Sequence, residues 1–114
     1  MSTSYAQPRI SSIERGEDPK FAAAFARIEC HYFVNKGFFA TESHILDHVD
    51  KIRHIPTFIV QGRYDVVCPI KSAFDLTKVF PEAEFVVCGQ SGHSAGEAET
   101  TSELVMACDR FAGK

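Results

Sequence analysis

The 114 residues hold no apolar run near the roughly 18 needed to span a bilayer, and no Cys-x-x-C pair. The first absence argues against a membrane span. The second argues against a zinc knuckle, and four scattered cysteines do not make a dense disulfide framework. A large excess of either charge is also missing: 12 Lys and Arg face 15 Asp and Glu, a net −3. That leaves no electrostatic case for nucleic acid or an anionic membrane as partner. The first eight residues, Met1 to Pro8, have no apolar core of the secretory kind, so a cytoplasmic chain is expected. Repeats and low-complexity segments are absent too. What remains is an ordinary globular composition at the size of one domain. Cys88, in an apolar strand, and Cys108, in an expected helix, read as buried structural thiols.

The chain divides into three parts. Residues 1–16 are polar and broken by Pro8, Ser11, Ser12 and Gly16, which predicts an irregular lead-in. Residues 17–56 read as helical. Asp18-Pro19 supplies a cap and a first-turn proline, and Phe21, Phe25, Ile28 and Tyr32 then recur on one helical face. Asn35-Lys36-Gly37 stops that helix. A second is predicted over 43–52, with Ile45, Leu46, Val49 and Ile52 as its stripe, and Pro56 follows. Residues 57–114 alternate strand and helix: strand 57–61, helix 69–80, strand 84–88, and helix 97–111 with Leu104, Val105, Ala107, Cys108 and Phe111 inward. The first strand is continuously apolar rather than alternating, which suggests burial on both faces as in a parallel sheet. Two parallel strands with these few helices cannot cover both faces and both edges. Either another polypeptide completes the sheet or the chain is a piece of a longer protein, and the exposed edge is open to self-association.

The chemistry gathers where the strands stop. Asp65 follows the first strand in Gly62-Arg63-Tyr64-Asp65, and His93 follows the second in Gly92-His93-Ser94. Carboxyl ends of strands are where open α/β sheets place their ligands and catalytic groups. A carboxylate that accepts the imidazole Nδ1–H fixes its tautomer and stabilises the imidazolium, as in a nucleophilic triad. Asp65 can equally be a turn former and His93 a loop residue. His44 and His48 stand at i and i+4, but there is no adjacent Glu and no third ligand, so a solvated face is expected and no metal.

Three blocks resemble the proline iminopeptidase (prolyl aminopeptidase) family of α/β-hydrolases. They are Phe25 to Asn35, Val60 to Pro69, and Phe80 to Glu84 with Gly92-His93-Ser94. The resemblance runs from about Asp18 to the end. It implies an α/β fold, specifically the C-terminal fragment of an α/β-hydrolase: the end of the cap helices, the last two parallel strands and their flanking helices. It implies release of N-terminal proline from peptides, with Asp65 as triad acid and His93 as general base. Glu29 is similar to an acid that holds the substrate's free amine. Phe33 is similar to an aromatic lining the pyrrolidine pocket. No cofactor is implied. Cys30 stands where many relatives are expected to carry Asn. The family's Gly-x-Ser-x-Gly elbow and His-Gly-Gly-Pro-Gly block do not occur in these residues. The expectation is a chain inactive alone, or alternatively a shortened hydrolase relative kept as an interaction module.

Overall fold

The computed structural model describes residues 4–7 and 18–113. Apart from residues 4–7, the lead-in expected over 1–16 lies outside the described residues. Helix α1, Pro19–Val34, starts as its sequence predicts. Asp18 is the N-cap, and its Oδ1 accepts the Lys20 amide at 3.0 Å. At the far end Asn35 Nδ2 donates to the His31 carbonyl at 2.8 Å. The chain then turns through Lys36, Gly37 and Phe38, all with φ between 51° and 63°. Only Gly37 adopts this left-handed region without strain. The Phe38 ring packs 5.3 Å from His31 and edge-on to Tyr32 at 5.7 Å. No residue of α1 is buried. Its apolar face, Phe21, Phe25, Ile28 and Tyr32, is exposed.

The second helix differs from the single run predicted over 43–52. It splits into α2, His44–Asp47, and a 3₁₀ turn, Val49–Lys51. His48 causes the break. Its ring Nδ1 bonds the His44 carbonyl at 2.7 Å, the acceptor its own amide would use in a helix. The amide goes to the Ile45 carbonyl instead, at 3.2 Å. Such side-chain competition for the backbone ends helices early. Val49, one residue on, is buried and anchors the turn.

Strand β1, Phe58–Gly62, pairs in parallel with β2, Glu84–Cys88, from Phe58 opposite Glu84 to Gly62 opposite Cys88. Helix α3, Ile70–Val79, connects them, and helix α4, Ala98–Phe111, closes the described chain. The parallel strand–helix–strand unit read from the sequence is thus present. Two clusters fasten it. Arg53 bridges both Glu82 oxygens, the Val79 carbonyl and Asp50, which ties the connector to the end of α3. Arg110 grips Glu84 with two bonds, at 2.9 and 2.8 Å, and lies over the Phe58 ring. These pairs are exposed and screened by water, so they locate the segments more than they stabilise them.

Among the described residues the buried apolar set is small: Val49, Phe80, Cys88 and Ala107. Cys88 is buried as expected, and burial pushes its thiol pKa up. Cys108 is exposed, contrary to expectation, and Leu104, Val105 and Phe111 are not buried either. A sheet of two strands about 5 Å apart is too narrow for the whole stripe. Only Thr100 and Ala107, two turns apart, reach full burial. Among the described residues no helix is long and apolar enough to cross a membrane.

Candidate active site

The site is built where β1 and β2 end side by side. Past Gly62 the chain turns sharply, and the Arg63 and Tyr64 amides donate to the carbonyls of Cys88 and Ser91, both at 2.9 Å. The two loops are therefore stitched together by backbone. The approach is so close that a Cβ on Gly62 would fall 1.8 Å from the Gly92 carbonyl oxygen. Gly62 is required for space; its φ is not in the left-handed range.

Asp65 sits in the first loop with its carboxylate fully engaged. Oδ1 accepts the amides of Val67 at 3.0 Å and Cys68 at 2.8 Å. Oδ2 lies 3.0 Å from His93 Nδ1 and 3.3 Å from Gln61 Nε2. The Asp65 side chain is only 7% exposed and that of His93 38%. Burial acts to raise the Asp65 pKa. The Cys68 amide, the His93 bond and charge, and the Val67 amide together outweigh it and hold the carboxyl below the usual carboxylate range. An ionised carboxylate can only accept, so His93 donates from Nδ1 and Nε2 is left as the acceptor. Asp65 and His93, named from sequence as a pair, are brought together.

The lowered pKa makes the ionised Asp65 a stabilising group. Its contribution is complete above the unfolded carboxyl's pKa of about 3.9 and fades as pH falls through the lower folded value. The stability advantage of the unsubstituted chain over Asp65→Asn should accordingly shrink in acid. Urea midpoints of both chains across pH 2 to 7 check this. A constant difference over that roughly five-unit range would contradict it.

Sequence reading missed three contributors. Gln61 Nε2 also donates to the carbonyls of Gly62, at 3.2 Å, and Cys68, at 3.1 Å, bracing the turn that carries Asp65. Glu99 accepts the Gly89 and Gln90 amides at 3.0 and 2.8 Å. Glu97 accepts the Gly92 amide at 2.7 Å. Two acids just after a glycine-rich loop were the available signal. An open groove of about 1070 Å³ runs beside this loop, lined by Tyr5, Tyr64, Val66, Ser91 and Glu97 among others. It does not include Asp65 or His93.

Glu29 and Phe33 stand four residues apart on α1, both exposed, Phe33 at 73%. The chief packing partner of α1 is the turn at residues 36–38 rather than the sheet. The rings of His44 and His48 lie 4.3 Å apart. Among the described residues no group of three or more His, Cys, Asp or Glu is placed to hold a metal ion.

No family model matches the chain. Individual proteins do. A proline iminopeptidase of Arabidopsis thaliana is 57% identical over 111 residues, covering 97% of this chain and 29% of that protein. One from Xanthomonas citri is 55% identical over 96 residues, 84% of this chain and 31% of the relative. This chain is a relative of the C-terminal part of the proline iminopeptidases. It spans about 30% of the length of the curated relatives it matches. The proline iminopeptidase of Neisseria gonorrhoeae follows at 50% over 93 residues, 82% of this chain and 30% of its own length. The two-strand parallel unit with its helices is accordingly a C-terminal α/β-hydrolase fragment.

Proposed function

We propose that this chain supplies the acid and the base of a serine-type proline iminopeptidase. The observation that carries the reading is the 3.0 Å contact between His93 Nδ1 and Asp65 Oδ2, made across two adjacent strand ends. His93 Nε2 takes the proton of a serine hydroxyl as its oxygen attacks the carbonyl of an N-terminal prolyl residue. The imidazolium, stabilised by Asp65, then gives that proton to the departing amine as the carbon–nitrogen bond breaks. Water, deprotonated by the same nitrogen, hydrolyses the acyl-enzyme and frees proline. Glu29 pairs with the substrate's cationic amine, which counts one residue from the peptide's start. Phe33 offers an apolar wall to the pyrrolidine ring. The serine comes from polypeptide outside these 114 residues, since no Gly-x-Ser-x-Gly occurs in them.

Purified alone, the chain should release no proline from a chromogenic prolyl amide above the buffer rate. Release by the isolated chain would overturn the assignment of the nucleophile. A second reading, an interaction module that pairs through its sheet edge, draws on the exposed apolar side chains of α1 and on Val87 of β2. Gel filtration separates the two: concentration-dependent dimers favour the module.

A further inference from the structure

The loop that carries His93 is clasped from both sides. On one side stand the backbone amides of Arg63 and Tyr64. On the other stand two carboxylates at the start of α4. Glu97 is the more unusual. It is the N-cap residue of α4, yet its side chain makes no bond to the helix's own amides. The carboxylate turns back and is almost fully buried, with 7% of the residue exposed. Oε1 accepts the Gly92 amide at 2.7 Å, and Oε2 accepts the Ala6 amide at 2.9 Å. The Gly92 bond is made at the residue immediately before His93. Gly92 is also crowded: a Cβ there would lie 2.7 Å from the Ala6 nitrogen and 3.2 Å from Glu97 Oε1. The next amide in the chain past His93, that of Ser94, donates to the Ser4 carbonyl at 2.6 Å.

Burying a carboxylate is costly unless hydrogen bonds to the charged form offset it. An ordinary helix N-cap is served by Ser, Thr, Asp or Asn, and exposed glutamates rarely bury. A glutamate spent on one loop amide instead fixes where that peptide plane lies. The Gly92 amide belongs to the Ser91–Gly92 peptide, so holding it fixes the path by which the chain enters His93 and limits the direction in which that side chain leaves the backbone. That direction must bring Nδ1 to Asp65 Oδ2.

We infer that Glu97 is a positioning residue for the general base: through the Gly92 amide it holds His93 in the orientation and tautomer that Asp65 requires. The inference rests on the reading of Asp65 and His93 as a catalytic pair. Glutamine is the informative substitution. Its oxygen can replace one acceptor, but its NH₂ group then faces the other amide, donor against donor. The loop must shift to relieve that contact.

The test is nitrogen NMR of this chain labelled at histidine and glycine, unsubstituted and as Glu97→Gln, with Asp109→Asn as a control that removes a negative charge from the same helix. In the unsubstituted chain His93 should show the Nδ1–H tautomer, and the Gly92 amide should be protected from hydrogen exchange. Glu97→Gln should give a tautomer mixture and lower the Gly92 protection by about 10-fold to 100-fold. Asp109→Asn should change neither. A Glu97→Gln chain that keeps the Nδ1–H tautomer overturns the positioning role and leaves the acid–base pair standing. An unsubstituted chain without that tautomer defeats the pair itself, and the positioning role with it. Should Glu97→Gln fail to fold, the unsubstituted chain still decides: a Gly92 amide exchanging as fast as a free loop amide overturns the contact.

Discussion

Asp65→Asn is expected to lower kcat about 10⁴-fold in an active enzyme that contains this chain, with KM little changed. The direction follows from the bonds around the carboxylate. Two amides, of Val67 and Cys68, point at Oδ1 and demand an acceptor there. After the substitution the side-chain oxygen must take that side, so the new NH₂ group faces His93. His93 Nδ1 must then accept, which moves its proton to Nε2. An imidazole protonated at Nε2 cannot take the proton of a serine. Gln61 worsens the mismatch, because its own NH₂ points at the same place. The substitution changes almost no volume. The loss is therefore one of tautomer and charge rather than of packing, and binding of the prolyl group should survive it.

Gly62→Ala is expected to carry the largest stability cost, about 3 kcal/mol. The new Cβ would meet the Gly92 oxygen at 1.8 Å, and the Gly92 carbon and Ser91 oxygen at 2.8 Å. All three are backbone atoms, so no rotamer change can relieve the clash. One loop must move away from the other. That movement strains the parallel pairing of Gly62 with Cys88 and the amide bonds from Arg63 and Tyr64. It also pulls Asp65 from His93. For a domain of this size such a loss is a large share of total stability. Urea unfolding of the two chains measures it, and an unchanged midpoint would count against the packing described.

The parts of this architecture that could be read from sequence are those set by local chemistry. Asp18-Pro19 starts α1 because a carboxylate can cap and proline tolerates the first turn. Phe58 to Gly62 and Glu84 to Cys88 are strands because they are short and apolar and end at glycine or a glycine-rich loop. Asp65 and His93 could be paired because both follow such strands. What could not be read depends on where distant segments meet. Gly62 reads as a turn glycine, and its real constraint is a carbonyl in the other loop, that of Gly92. Glu97 reads as a helix start, and only the position of the Gly92 amide shows what it holds. The stripe Phe21, Phe25, Ile28 and Tyr32 reads as a face to be buried, yet all four side chains stay exposed. Periodicity reports that a face is apolar; it cannot say which chain supplies the other half.

Asp65 and His93 are proposed to serve a serine that these 114 residues do not supply. That role is tested most directly by a chimera in which this chain replaces the matching C-terminal part of the Xanthomonas citri relative, where identity is 55%. The quantity to measure is kcat/KM for a prolyl amide, before and after Asp65→Asn. The expected result is an active chimera whose rate falls by about 10⁴ on that substitution. A chimera whose rate stays within about tenfold of the original after Asp65→Asn would contradict that role.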